Sequence, residues 1–244
     1  RAWPGAACGR PPVSAAQATA RAGTANVAAA AQAPRVGVFE IEDSLEELPS
    51  PFAFPGMEPD VTFRRVVAAL RDASRDTLDA LVLRLKDAAL NTTQVEELGA
   101  AIRAARNNGV RVSVFAENYG PAELLLASFA DEALIQSGGG VSLPGLYMEE
   151  MFLADTLAWI GVKAEMIQIG DYKGAAEQMS NSKPSPQWDQ NISALLDSMY
   201  ENQRSILKAG REMDDAELDR AMETAWFADA DQAQAAGLID AQLE

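Results

Sequence analysis

A regular alternation of strand and helix patterns, running from residue 35 to the end, constrains the fold of this chain more than any other feature. Short apolar or alternating runs predict strands at residues 36–41, 81–85, 110–115, 133–135 and 163–169. Amphipathic patterns predict helices at residues 61–75, 93–106, 122–130, 147–160 and 186–209. Two neighbouring parallel strands must be joined by a crossover connection, which usually contains a helix, and the predicted helices lie between the predicted strands in this way. The alternation therefore predicts an α/β fold of βαβ units around a mostly parallel sheet.

With 244 residues, the chain is long enough for one α/β domain with a sizeable core, which we expect at residues 35–244. Residues 1–34 are rich in Ala and Pro and show little periodicity, which predicts a flexible segment or the remnant of a targeting region. No run approaches the roughly 20 apolar residues that cross a bilayer. We therefore expect any membrane anchor to lie outside this sequence.

Composition excludes several classes of function. The formal net charge of −16 repels phosphate backbones, so nucleic acid is not an expected partner. The chain has no histidine, which excludes a histidine-based triad and a histidine-ligated metal. Its one cysteine, Cys8, excludes an internal disulfide framework.

Two further patterns are interpreted as structural. Gly138-Gly139-Gly140 lacks the Gly-Lys-Ser/Thr of a phosphate loop and the spacing of a dinucleotide fingerprint, so we interpret it as a flexible connection. Asp214, with Glu217 three residues later, is more simply a helix N-cap than a metal ligand. We therefore expect no metal and no cofactor.

The order of several motifs resembles the N-terminal repeat of the long, two-repeat form of the signal peptide peptidase A family. The family's most specific motif, a Gly, an aromatic residue and a Lys followed by Ala and Glu, is matched by IGDYKGAAE at residues 169–177. Four shorter segments match in the same order around it: LVLRLK (81–86), ENY (117–119), LASFA (126–130) and AQAAGLID (233–240). This resemblance implies a crotonase- or Clp-protease-like superhelix of βαβ units.

The resemblance also implies a Ser–Lys dyad that hydrolyses peptides, with Lys173 as its general base. A free lysine has a pKa near 10.4 and is a poor base at neutral pH. Burial among apolar groups or a nearby cation disfavours the ammonium form, and the neutral amine can then deprotonate a serine. A carboxylate from Asp171 or Glu177 would instead pair with Lys173 and oppose catalysis.

The sequence departs from the family at the nucleophile. The serine position of single-repeat relatives falls on Pro121, and Ser128 lies too far along the predicted helix to replace it. A Gly-Gly pair that such relatives place after the second strand is replaced by Asp87-Ala88, which puts an oxyanion hole there in doubt. Ser142 is close to the position of a serine that accompanies the lysine, but its register differs by about one residue.

These patterns leave two main hypotheses. The first is part of a serine endopeptidase, incomplete by itself, whose serine comes from a C-terminal repeat or a partner chain. The second is an inactive pseudo-peptidase repeat that acts as a scaffold. A crotonase-type acyl-CoA enzyme is a third, but its Gly-rich oxyanion loops are absent.

The resemblance implies a homo- or hetero-oligomer, a peptide substrate and a place at the bacterial cell envelope, extracytoplasmic or membrane-associated, with the cytoplasm as alternative. We expect Trp159, Trp188 and Trp226 to lie in the core or at a subunit interface, because each falls on an apolar face of its segment.

Overall fold

A computed structural model describes residues 33–48, 61–167, 169–170 and 172–244. The strands in these residues are Val36–Glu42 (β1), Ala80–Lys86 (β2), Arg111–Ala116 (β3), Glu132–Gln136 (β4), Gly140–Val141 (β5), Ala228–Asp229 (β6) and Ala241–Leu243 (β7). The helices are Phe63–Asp72 (α1), Thr92–Asn107 (α2), Pro121–Ala127 (α3), Ala154–Trp159 (α4), Glu177–Ser180 (α5), Pro186–Gly210 (α6), Asp215–Thr224 (α7) and Ala230–Ala235 (α8), with a 3-10 turn at Gly174–Ala176.

Five strands form one parallel sheet in the order β1-β2-β3-β4-β7, and β5 pairs antiparallel with β6. The first three crossovers each contain one helix, which gives the units β1-α1-β2, β2-α2-β3 and β3-α3-β4. The α/β class and the mostly parallel sheet are confirmed, and this repetition of βαβ units is consistent with a Clp-protease- or crotonase-like fold. The expectations for Cys8 and for nearly all of residues 1–34 lie outside the described residues.

The core lies on one face of the sheet. Leu81, Leu83 and Leu85 of β2 are buried on that face, beside Val112 and Val114 of β3. Apolar residues of α1, α2 and α3 cover them in a single cluster. Alternate residues of a strand point to opposite faces, so this one-sided burial explains the alternating pattern of β2.

The opposite face of the sheet is partly exposed and carries charge pairs between neighbouring strands. Glu40 of β1 lies 3.4 Å from Arg84 and 2.5 Å from Lys86 of β2. Val38, next to Glu40 on the same face, is 64% exposed. The polar alternation along β1 and β2 therefore reflects solvent on this side of the sheet.

Two helix starts follow the rules expected from sequence. Asp214 caps α7 in a capping box with Glu217, which confirms the structural interpretation of this acidic pair. The box that starts α2 is formed by Asn91 and Gln94, so this helix begins before the predicted residue 93. None of the helices in the described residues is both long and apolar enough to cross a bilayer.

Two predicted elements fail in the segment after β5. The predicted helix at residues 147–160 is reduced to α4, which buries none of its residues. The predicted strand at residues 163–169 does not form among the described residues 163–167 and 169. An isolated short helix is marginal in water and a strand needs a paired neighbour. Both predictions were wrong because, among the described residues, α4 buries none of its side chains and residues 163–167 and 169 pair with no strand.

An ion pair closes the far edge of the sheet. Arg211, just past α6, donates to both carboxylate oxygens of Asp240, at 2.9 and 2.7 Å, and to the carbonyl of Gly237. Asp240 also accepts from the backbone N–H of Ala133 at 2.7 Å. Burial raises the pKa of Asp240, but the bonds from Arg211 and Ala133 outweigh it and hold the pKa below its usual value. These contacts fix the start of β7 against β4.

We predict that Asp240→Asn lowers the free energy of unfolding by about 1–3 kcal/mol at pH 7, because charge-assisted hydrogen bonds are lost. A carboxyl group whose folded pKa is depressed stabilises the fold above its unfolded value, near 3.9, and loses that effect as pH falls through the folded value. The deficit should therefore shrink below about pH 4. Urea unfolding of the wild type and Asp240→Asn at several pH values measures this difference in the free energy of unfolding.

The control is Glu223→Gln, an exposed residue of α7, which should change stability by less than about 0.5 kcal/mol. A deficit for Asp240→Asn that stays constant down to pH 2 would show that the ion pair is not its source.

Candidate functional site

A cleft opens at the carboxyl ends of the parallel strands, where open α/β sheets bind ligands. It has a volume of about 450 Å³. Its lining contains five carboxylates and one ammonium group, those of Glu42, Asp43, Asp87, Glu117, Glu123 and Lys86. Among the described residues, no three Asp, Glu or Cys side chains are arranged to hold a metal ion. The acidity of this cleft was not predicted, because its carboxylates come from three separate segments, at or after the ends of β1, β2 and β3.

Pro121 lies at this cleft as the first residue of α3, directly after the N-cap Gly120. A proline fits this position because the first turn needs no N–H from it. The carboxylate of Glu123 folds back over the same helix start, with Oε2 2.9 Å from the point where a Cβ of Gly120 would stand. Burial raises the pKa of Glu123, with a smaller contribution from Asp87. The position matched to the family serine thus offers no nucleophile, and a carboxylate lies beside it.

The other serine and glycine candidates have structural roles. Ser128 is buried and donates to the carbonyl of Leu124 at 2.8 Å. Ser142 donates to the carbonyl of Trp226 at 3.4 Å. A Cβ on Gly139 would lie 2.0 Å from the Glu117 carbonyl oxygen, so the glycine run packs tightly against the β3–α3 loop and leads into β5. The prediction of a flexible connection into a helix was wrong at this point.

Lys173 lies outside this cleft, in a recess of about 390 Å³ near the start of α6. It is exposed and takes the N-cap position of the 3-10 turn Gly174–Ala176. The recess is lined by Tyr172, Lys173, Gly174, Ala175, Trp188, Asn191 and Ile192. The surface of this recess is mostly apolar, so the exposed Lys173 is one of the residues that border an apolar recess.

Trp188 holds the lysine turn in place. A Cβ on Gly174 would lie 2.4 Å from the ring of Trp188, so the indole packs directly on the backbone after Lys173. Phe152 packs edge-on against the same indole, with ring centroids 5.8 Å apart. Trp188 is therefore a packing residue of this small cluster, while Trp159 and Trp226 are 87% and 66% exposed and lie outside the core.

Glu177, four residues after Lys173, is buried with 5% of its surface exposed. Its carboxylate accepts from the backbone N–H of Ser185 at 2.9 Å, from the Ser185 hydroxyl at 2.7 Å and from the Asn181 amide at 3.3 Å. The suggested ion pair of Glu177 with Lys173 is therefore replaced by these bonds. Asp171, the other suggested partner, lies outside the described residues.

Sequence reasoning missed Ser185 and Trp188 as parts of this site. Ser185 caps α6 by accepting from the Trp188 N–H at 3.1 Å, and Pro186 follows as the first helical residue. The Ser-Pro pair before an amphipathic run is a helix-start signal that could have located this cap. Nothing in the sequence pattern shows that the same serine binds Glu177.

Ten large apolar side chains among the described residues between 147 and 172 are exposed, and we call these ten residues the apolar arm. Ile167 is 102% exposed, Trp159 87% and Ile169 84%. The other exposed members are Tyr147, Met148, Met151, Ile160, Val162, Met166 and Tyr172. Contiguous exposed apolar surface is rare on isolated chains and marks interaction sites. The arm leads directly to Lys173.

Comparison with known proteins gives a consistent family assignment. Residues 104–243, more than half of the chain, match the model of peptidase family S49. Protease 4 of Haemophilus influenzae is 30% identical over 139 residues, which cover 56% of this chain and 23% of that protein. Protease 4 of Salmonella typhi is 26% identical over 155 residues, 63% of this chain and 25% of that protein. The matched segments thus span about a quarter of these relatives.

A peptidase from Plasmodium falciparum aligns in structure with a TM-score of 0.46 and 10% sequence identity, over 85% of this chain and 95% of that one. This alignment is too loose to support an argument about the site.

We predict that Gly174→Ala displaces Trp188 and destabilises the lysine turn by about 1–3 kcal/mol, because the new methyl group overlaps the indole. The Trp188 indole resonance in NMR spectra and urea unfolding measure the effect. The control, Ala175→Ser at the exposed next position, should leave both unchanged. An unshifted indole resonance in Gly174→Ala would contradict the packing described.

Proposed function

This chain belongs to peptidase family S49, as its motifs suggested, and we propose that it supplies the lysine of a Ser–Lys peptidase site. In this proposal Lys173 is the general base, and the serine comes from another repeat or another chain. The observation that carries it is the ordered lysine turn, in which the Glu177 carboxylate bonds to Ser185 and Asn181. Pro121 supports a serine from elsewhere, because it occupies the matched nucleophile position.

The chemistry needs a neutral amine at Lys173. The amine would take the proton of the serine hydroxyl as the serine oxygen attacks a peptide carbonyl, and would give it to the leaving amine. Water then releases the acyl group by the same proton transfers in reverse order. A Lys or Arg elsewhere in this chain would not replace it, since only a correctly placed amine can take the proton.

A docked partner would remove the exposed Lys173 from water. The carbon-lined recess and the apolar arm next to Lys173 are surfaces that a partner would remove from water. Covering them would desolvate the ammonium group and favour the neutral amine. We therefore propose that the serine-bearing repeat or chain docks on the apolar arm, in a homo- or hetero-oligomer.

The proposed substrates are peptides, including remnants of signal peptides, and the proposed place is the extracytoplasmic or membrane-associated side of the bacterial cell envelope. Both follow from the family and are not geometric findings.

An inactive scaffold is the second candidate. The proline at the nucleophile position, the carboxylate of Glu123 over the helix start and the left-handed Asp87 in place of a glycine pair favour it. On this reading the lysine turn is retained for packing alone. The two candidates differ in whether peptide hydrolysis depends on Lys173.

We predict that Lys173→Ala in the full-length protein lowers kcat for peptide hydrolysis by about 10²–10⁴-fold, the usual contribution of a general base. Lys173→Arg should not restore it, because a guanidinium group does not lose its proton at these pH values. Initial rates on a fluorogenic peptide measure both variants. The matched control is Lys183→Ala, an exposed lysine ten residues away, which should keep full activity. Full activity in Lys173→Ala would reject the catalytic role.

We also predict that Ile167→Glu weakens association with the serine-bearing partner by roughly 10- to 100-fold, since burying an isoleucine contributes about 1.5–3 kcal/mol. The stability of this chain alone should not fall, because Ile167 is fully exposed. Sedimentation velocity of the full-length protein measures association. The control is Val61→Glu, at a 55% exposed position outside the arm. Equal association in the wild type and Ile167→Glu would exclude the arm as the docking surface.

A further inference from the structure

The turn that carries Lys173 also contains a buried carboxylate. We propose that Ser185 and Asn181 hold the Glu177 carboxylate away from Lys173, so that the lysine is not neutralised by the acid one helical turn further along. Ser185 and Asn181 are then positioning residues that act on Lys173 through Glu177. The effect of Ser185 and Asn181 on catalysis rests on the proposed function. Their effect on the protonation of Lys173 does not depend on it.

Glu177 follows Lys173 by four residues along the same short turn, and the two form no ion pair among the described residues. Lys173 is the N-cap of the 3-10 turn, and Glu177 is both its C-cap and the first residue of α5. Side chains four residues apart on a helical turn are neighbours, and opposite charges at this spacing attract. The Oε1 atom of Glu177 also lies 3.5 Å from the point where a Cβ of Gly174 would stand, beside the residue that follows Lys173.

The hydrogen bonds of Glu177 are made to residues that follow it in the chain. Ser185 provides its backbone N–H and its hydroxyl, and Asn181 provides its amide, so three donors surround the carboxylate. Glu177 is the one acidic residue buried among the described residues. A buried carboxylate needs such donors, because desolvation without them is costly. The donors are Asn181, the C-cap of α5, and Ser185, the N-cap of α6.

The other charged or titratable groups on the surrounding elements are exposed, and solvent screens them. Between residues 147 and 167 these are Glu149, Glu150, Asp155, Lys163 and Glu165, on the turn Tyr172, in the following loop Lys183, and at the start of α6 Asp189. Asp171 lies outside the described residues. Glu177 is therefore the group whose release would change the surroundings of Lys173 most. Without its side-chain donors, the carboxylate would turn toward the cation at the start of its own turn.

The test measures how readily Lys173 is acylated by acetic anhydride as a function of pH, because only the neutral amine reacts. The full-length protein is labelled briefly between pH 6 and pH 11, digested, and analysed by peptide mass spectrometry. Lys163 and Lys183 are internal references in the same sample, both exposed. The variants are Asn181→Ala/Ser185→Ala, the same pair with Glu177→Gln, and Glu177→Gln alone.

We expect the Asn181→Ala/Ser185→Ala pair to raise the pH midpoint for Lys173 by about 0.3–0.5 unit, a two- to threefold stronger hold on the proton, as for an i,i+4 ion pair. Adding Glu177→Gln should return the midpoint to the wild-type value. Glu177→Gln alone should change the Lys173 midpoint by less than about 0.2 unit, because the carboxylate already accepts hydrogen bonds from Asn181 and Ser185. The references should stay fixed in every variant.

An unchanged midpoint in the paired alanine variant, or a raised midpoint that persists when Glu177→Gln is added, would overturn the proposal. Circular dichroism checks folding, and Ser185→Thr, which keeps the capping hydroxyl, should behave as the wild type. If the alanine variants do not fold, the Glu177→Gln variant is the test. A pH midpoint for Lys173 more than about 0.2 unit below the wild-type value would show that the carboxylate already stabilises the ammonium form, which would overturn the proposal.

The labelling does not depend on peptide hydrolysis, so the two proposals can fail separately. Expected midpoints with full activity in Lys173→Ala would keep the positioning role and reject the catalytic one. If Lys173 is the base, the acid limb of the pH–activity profile should move to higher pH with the paired alanine variant, by the same amount as the labelling midpoint.

Discussion

The rest of this structure depends on the burial of one face of a parallel sheet. Parallel strands usually require cover on both faces, but here α1, α2 and α3 cover one face and cross-strand charge pairs occupy the other. The buried side chains of β2 and β3 fix the register of the strands, because a slip of one residue would turn them toward water. That register places the loops after β1, β2 and β3 around one cleft.

The sheet is held at its far edge by contacts between distant parts of the chain. Arg211 and Asp240 join the end of α6 to the start of β7, and Ala133 joins both to β4. At the start of α6, Ser185 binds Glu177 and Trp188 packs on Gly174, so this helix end holds the lysine turn. The domain is thus well packed where the sheet is covered and sparsely packed where the arm leaves it, beside the proposed catalytic residue.

Most of the fold could be predicted from sequence, because each successful element has its own local signal. The buried alternation of β2 and the 25-residue amphipathic α6 were predicted within one or two residues of their bounds. The Asp214 cap was recognised from its place directly before a helical pattern with acidic first-turn residues. The strand at residues 163–169 was wrong although its residue pattern is regular, since pairing is a property of two strands and one pattern contains only one of them.

The sequence by itself determined the α/β class, the absence of histidine chemistry, the proline at the matched nucleophile position and the identity of Lys173 as the candidate base. The first two depend on residue type and local spacing, and the last two on the resemblance of the motifs to the family. Only the tertiary structure decided that five carboxylates share one cleft and that Glu177 bonds to Ser185. Both depend on segments that are separate along the chain and come into contact only when the core is formed. A local residue pattern does not show which distant segments will be in contact.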